Sequence, residues 1–107
     1  MKKDWEEAIK ISIAISLNKL LEIRKVALNQ PIENVAKSYN KIALDADIRK
    51  ATVSDTFNGK TMPSASTLIL IVEKMGFKLT DFSEIYCSIK EEEVRDFLLK
   101  SKKKSNP

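Results

Sequence analysis

Positions 49–55 hold side chains that can contact the edges of DNA bases: Arg49, Lys50, Ala51, Ser54 and Asp55. Arginine and lysine donate to guanine O6 and N7, a carboxylate accepts from cytosine N4, and an alanine methyl packs on the thymine methyl. If a helix enters the major groove by its N-terminus, the first three residues reach the bases and the other two follow one turn later. The alternative is that Arg49 and Lys50 are solvated charges and Asp55 an ordinary surface residue.

A second group of side chains flanks this stretch and suits the sugar-phosphate backbone. Hydroxyl, amide and ammonium donors hold a protein in register on DNA without reading its sequence. The residues expected in this role are Tyr39, Asn58, Lys60 and Thr61.

The surrounding residues have the order of a helix-turn-helix. The predicted first helix, turn and second helix cover residues 38–45, 46–48 and 49–58. Their apolar positions are Ile42, Ala43, Ala46, Ile48, Val53 and Phe57. Asp47 lies where such a turn needs a left-handed backbone, which aspartate tolerates better than most residues. Gly59 is a good stop for the second helix, and Ser38 is placed to cap the first.

Helices are also predicted on both sides of this unit. Pro63, Ser64 and Ser66 begin a helix that Gly76 ends, and further helices start near residue 80 and at residue 91. Before the unit, residues 4–28 lack glycine and proline and favour a long helix ending near Asn29, with a short helical turn over residues 31–36. Residues 9–17 also alternate as a half-buried strand would, so both readings stay open there.

The segment from Ser38 to Phe82 resembles the Cro/C1-type helix-turn-helix repressors, the XRE family. The matching positions are Ile42-Ala43, Ile48, Thr52-Val53-Ser54, Gly59-Lys60, Pro63-Ser64, Thr67-Leu68, Ile71, Gly76 and Leu79. The resemblance implies an all-α, lambda-repressor-like bundle of about five helices, with an extra N-terminal segment and a C-terminal helix. It also implies sequence-specific binding of double-stranded DNA, transcriptional repression and a homodimer.

Three positions depart from the family pattern. The family usually has glutamine at the second residue of the first motif helix, where it touches phosphate and braces a base-reading side chain; this chain has Tyr39. The turn glycine is replaced by Asp47. The link between the N-terminal helix and the motif is several residues longer than usual.

Composition limits the other function classes. The chain has 107 residues, a formal charge of +4, one cysteine and no histidine. Histidine-based catalysis and a cysteine metal cluster are therefore excluded, and no nucleophile-base pair is evident, so we expect neither an enzyme nor a cofactor or small-molecule ligand. No apolar run is long enough for a membrane span, and a cytoplasmic location is expected.

The sequence predicts one DNA-binding domain over residues 1–99, with residues 100–107 as a flexible basic tail. The five large aliphatic residues between positions 9 and 17 exceed what one small domain needs on a single element, so they are expected to form the dimer interface. The alternative interface is the helix around Val94, Phe97 and Leu98. Alternative functions on the same fold are an antirepressor and an antitoxin that binds a toxin partner.

Overall fold

The computed structural model describes the backbone of residues 2–26 and 36–105 and the side chains of residues 5–26 and 36–100. Within these ranges the chain forms six α-helices and no strand. They are α1 (Lys2–Val26), α2 (Tyr39–Ala46), α3 (Lys50–Phe57), α4 (Ala65–Lys74), α5 (Leu79–Ser88) and α6 (Glu91–Ser105). The predicted all-α, lambda-repressor-like class is confirmed.

The N-terminal helix α1 is the central element of the bundle. It contacts α3, α5 and α6. Because neighbours lie on several sides of it, apolar residues are needed on several of its faces. Ile11, Ile13, Ile15 and Leu17 are all buried, and their alternation with small or polar residues imitates the pattern of a strand. The helical reading of residues 9–17 is correct, and the strand reading is wrong.

This burial removes the reason given for a dimer interface at residues 9–17. The supposed surplus of aliphatic residues is covered within the chain, because α6 runs back across α1. Lys19 Nζ lies 2.6 Å from Glu93 Oε1, and Phe97 lies close to Ile11 beside the backbone of Gly59. The expectation that the N-terminal aliphatic residues seek a partner is therefore wrong.

One continuous core joins the first five helices. Its members are Ile13, Leu17, Leu20, Leu21, Ala36, Ile42, Ala43, Val53, Phe57, Ile71, Val72, Met75 and Phe82. Val53 and Phe57 of α3 are fully buried, as predicted. Burial of this apolar surface is the main force that fixes α3 on the rest of the bundle.

The predicted caps and turns of the helix-turn-helix are present. Ser38 Oγ accepts a hydrogen bond from the Lys41 N–H at 3.1 Å, and Ser64 caps α4 in the same way. Asp47 has the left-handed backbone that the turn requires, with φ 56° and ψ 49°. Gly59 follows α3 with φ +71°, the conformation that makes glycine a favourable helix stop.

A buried arginine ties α1 to the end of α4. Arg24 Nε donates to the Met75 carbonyl at 2.8 Å, and its Nη2 donates to the Gly76 carbonyl at 3.2 Å. The guanidinium also lies 4.3 Å from the centre of the Phe77 ring. The carbonyls at a helix C-terminus carry partial negative charge, so this cation is stabilised although no carboxylate among the described residues pairs with it.

Some predictions fall outside the described residues: the end of the first helix near Asn29 and most of the helical turn at 31–36. At the other end, the backbone is helical as far as Ser105 and thus into the basic segment. Within the described ranges, no helix is long and apolar enough to cross a membrane. Those ranges also contain no cluster of three or more residues of the types His, Cys, Asp and Glu that could hold a metal ion.

Candidate nucleic-acid interface

The helix α3 contains four of the five predicted base-reading residues, and the fifth, Arg49, is its N-cap residue. One face of α3, formed by Val53, Thr56 and Phe57, is buried against the bundle. Arg49, Lys50 and Ala51 are exposed, whereas Ser54 and Asp55 are half-buried one turn further on. None of the five predicted base-reading residues therefore belongs to the face of α3 that packs on the bundle.

The N-terminal end of α3 carries two exposed cations. Arg49 is its N-cap residue and makes no side-chain capping bond, and the first turn contains no acid. The ion pairs among the described residues are Lys10–Glu7, Lys19–Glu93 and Lys41–Asp45, so neither Arg49 nor Lys50 is neutralised by one. Two exposed cations therefore add to the partial positive charge of the helix N-terminus, an arrangement that attracts polyanions.

The end of α3 is more constrained. Asn58 Nδ2 donates to the Ser54 carbonyl at 2.8 Å and contacts Ser54 Oγ at 3.3 Å. The amide nitrogen that was expected to meet phosphate is thus turned back onto its own helix. Asp55 forms no side-chain hydrogen bond or ion pair with a described residue, so its carboxylate can accept from a base donor but repels nearby phosphates.

Tyr39 combines a packing role with a polar one. Its ring lies 4.8 Å from the ring of Phe57, centre to centre, and is half-buried against the core. Burial raises the pKa of the Tyr39 hydroxyl above its usual value of 10.0. The hydroxyl therefore remains protonated at neutral pH and can donate to a phosphate oxygen, as the family's glutamine does by its amide.

A polar cleft of about 330 Å³ opens beside the start of α3. It lies between the second half of α1 and the N-terminal ends of α2 and α3. Its lining residues are Asn18, Leu21, Glu22, Lys25, Ser38, Tyr39, Asn40 and Lys50. Lys25 and Asn40 add donors that the sequence did not predict, while Ser38 was predicted only as a helix cap. Lys25 is far from the motif in the sequence, and only folding brings it near.

The remaining residues predicted to contact the sugar-phosphate backbone of DNA lie in the turn after α3. Lys60 and Thr61 are exposed there, and Gly59 before them is buried. The Lys60 N–H donates to the Asp55 carbonyl at 2.9 Å, which fixes the path of the turn. Lys60 and Lys50 therefore lie at opposite ends of α3, a spacing that allows one to follow the phosphates while the other approaches the bases.

Comparison with protein families agrees with this geometry. Residues 34–82 match a family model described as helix-turn-helix. This segment is a Cro/C1-type helix-turn-helix domain. The Cro/C1-type segment contains α2, α3, α4 and the start of α5, whereas α1 and α6 lie outside it. No curated protein and no solved structure gave a match.

The assignment supports binding of double-stranded DNA and a role in transcription regulation. In the Cro/C1-type segment of this chain, both departures within the motif are accommodated locally. Asp47 adopts the left-handed backbone in place of glycine, and Tyr39 fills the glutamine position by packing on Phe57.

Proposed function

We propose that this protein is a transcriptional repressor that reads the DNA major groove with α3. The observation that carries the proposal is that α3 exposes two unneutralised cations at its N-terminus while its opposite face is buried. The base-reading residues are Arg49, Lys50, Ala51, Ser54 and Asp55. The contacts to the sugar-phosphate backbone are made by Tyr39, Lys60 and Thr61, whereas the Asn58 amide is held on its own helix by Ser54.

The proposed mechanism is occupancy of an operator in the cytoplasm rather than catalysis. Residues 1–99 act as one DNA-binding domain, and residues 100–107 add basic charge. No cofactor enters this mechanism, because direct contacts to bases and phosphates supply both affinity and specificity.

The test begins with selection of preferred duplexes from a random pool by the full chain. Binding to the selected duplex and to a random duplex is then measured for the parent, Lys50→Ala, Arg49→Ala and Lys60→Ala. We expect each of the first two to lose about 1–3 kcal/mol on the selected duplex and to relax discrimination at one or two base pairs. Lys60→Ala serves as the contrast. It should weaken binding to both duplexes alike, and it should lower the slope of log binding constant against log salt concentration by about one.

Two results would contradict the proposal. If Lys50→Ala and Arg49→Ala bind every duplex as the parent does, α3 does not read bases. If the parent selects no duplex at all, the domain is an interaction module such as an antirepressor. If it does select a duplex, a toxin reading frame beside its own would identify it as an antitoxin that binds its own operator.

We also propose that the repressor acts as a homodimer, through a surface other than the N-terminal aliphatic residues. Ile23 and Val26 of α1 are 50% and 66% exposed, and with Ile85 of α5 they line an apolar groove that we call the α1–α5 patch. Lys19, which is paired with Glu93, and Glu22 border this patch, so its rim is charged around an apolar centre. Glu22 also lines the polar cleft beside the α3 N-terminus, so the α1–α5 patch and the cleft adjoin.

Sedimentation of the full chain at tens of micromolar tests this interface. Val26→Glu and Ile23→Lys should shift the protein to a monomer. The matched control is Leu44→Lys, which also removes an exposed aliphatic side chain, 74% exposed, but from α2. A monomeric parent refutes the dimer, and a dimer unaffected by both patch variants moves the interface elsewhere.

A further inference from the structure

The C-terminal end of α3 depends on a donor from outside the matched segment. The last four carbonyls of a helix have no partner within it. In α3, the carbonyls of Ser54, Asp55 and Thr56 accept from the N–H groups of Asn58, Lys60 and Gly59 respectively. The Phe57 carbonyl accepts instead from the side chain of Asn18, at 2.8 Å.

Asn18 is itself held in place on α1. Its Nδ2 also donates to the Ala14 carbonyl, one turn earlier on the same helix, at 2.7 Å. One amide nitrogen therefore bridges the backbone of α1 and the backbone of α3. Just beyond the bridge, Gly59 is packed so closely against Ile11 and Phe97 that a Cβ there would lie 2.7 Å from Ile11 Cδ1.

We propose that Asn18 is a positioning residue for base recognition: it fixes the tilt of α3, and hence the distance of Arg49 and Lys50 from the bases. This inference rests on the proposed DNA reading by α3. The bridge is at one end of the helix and the base-reading residues are at the other, so a small change at the bridge is transmitted along the helix.

The size of the effect follows from the length of α3. Eight residues at about 1.5 Å each span about 12 Å, so a tilt of about 5° at one end displaces the other by about 1 Å. Hydrogen bonds to base edges tolerate only a few tenths of an ångström. Contacts to phosphates through flexible lysines are sequence-independent and adapt more easily. Loss of the bridge should therefore lower specificity more than general affinity.

The experiment compares Asn18→Ala with the parent on the selected duplex and on a random duplex. Asn18 is half-buried where α1 borders the polar cleft, and alanine is the best helix former, so the variant should fold. We expect the affinity for the selected duplex, divided by the affinity for the random duplex, to fall about fivefold, with binding to random duplex unchanged. This factor corresponds to the free energy of one net hydrogen bond. Asn18→Asp should lower the ratio further, because a carboxylate cannot donate and faces two carbonyl oxygens.

Ser16→Ala is the matched control. Ser16 Oγ donates to the Ser12 carbonyl at 2.8 Å, a bond of the same spacing on α1 that does not reach α3. This variant should keep the parent's ratio. A ratio unchanged in Asn18→Ala, or an equal loss on both duplexes together with a lower melting temperature, would overturn the positioning role alone. A parent without preference for any duplex would overturn the proposed function and this inference with it.

Discussion

Replacement of Arg24 is the sharpest test of how the bundle is held together. Arg24→Met removes the guanidinium that joins α1 to the Met75 and Gly76 carbonyls but keeps an apolar side chain of similar length. Arg24→Lys keeps the positive charge, yet one ammonium cannot reproduce the planar fork and the stacking on Phe77.

The magnitude follows from the contacts. Two hydrogen bonds from a charged donor contribute about 1.5–3 kcal/mol each, and the contact with the Phe77 ring adds about 0.5–2 kcal/mol. The Arg24→Met variant no longer buries a charge. Because burial of a charge costs several kcal/mol, its removal offsets much of the loss of these contacts. We therefore expect Arg24→Met to lower the free energy of unfolding by about 2–4 kcal/mol, and Arg24→Lys by about half as much.

Thermal unfolding followed by circular dichroism measures the effect. For a domain of this size, the expected loss lowers Tm by about 10–20 °C in Arg24→Met. Lys25→Met is the control, because Lys25 is the exposed neighbour of Arg24 and should change the free energy of unfolding by no more than about 0.5 kcal/mol. A Tm of Arg24→Met within about 3 °C of the parent's, or of Arg24→Lys equal to the parent's, would refute the reasoning.

Two further predictions concern the contacts of α6. In Gly59→Ala, left-handed backbone strain combines with a Cβ that would lie 2.7 Å from Ile11 Cδ1 and 3.3 Å from Phe97 Cε1, so urea titration should show that the free energy of unfolding falls by about 2–4 kcal/mol. Gly76→Ala, at an exposed glycine with φ +84°, should lose only about 1 kcal/mol. Equal losses would contradict the close packing of Ile11 and Phe97 on Gly59. The hydrogen bond from Lys19, and secondly that from the Lys90 N–H, lower the pKa of Glu93 below its ordinary 4.5. The unfolded chain therefore binds this proton more readily, and the stabilisation is present above about pH 4.5 and disappears as the pH falls through the lowered pKa. The Tm difference between the parent and Glu93→Gln should be largest near pH 7 and shrink as the pH falls through the lowered pKa of Glu93. A difference independent of pH would exclude the ion pair as its cause.

The helix-turn-helix could be predicted because its signals are local. The serine cap, the left-handed Asp47 and the stop at Gly59 each depend on a few neighbouring residues, and each is present. Val53 and Phe57 were identified as core for the same reason, since their spacing places them on one face of a short helix.

The surroundings of α1 could not be predicted in this way. Apolar periodicity reports that a face is buried but not which element covers it, and Ile11 and Ile15 are covered by a helix about eighty residues later in the chain. Asn18 and Lys25 were missed for a related reason. Their importance lies in partners brought near by folding, and nothing in the local sequence distinguishes them from other polar residues of a helix.

The central position of α1 has a consequence for anyone who moves this DNA reader into another protein. The matched segment supplies the reading surface, but Leu17 and Leu20 of α1 belong to its core. Asn18 and Arg24 of α1 also donate hydrogen bonds to carbonyls at the ends of α3 and α4. A graft cut at residues 34 and 82 would expose the apolar side chains that α1 covers and leave the carbonyls of Phe57, Met75 and Gly76 without these donors. The transferable module is therefore larger than the recognisable one, and a chimaera that retains its specificity must carry α1 with it.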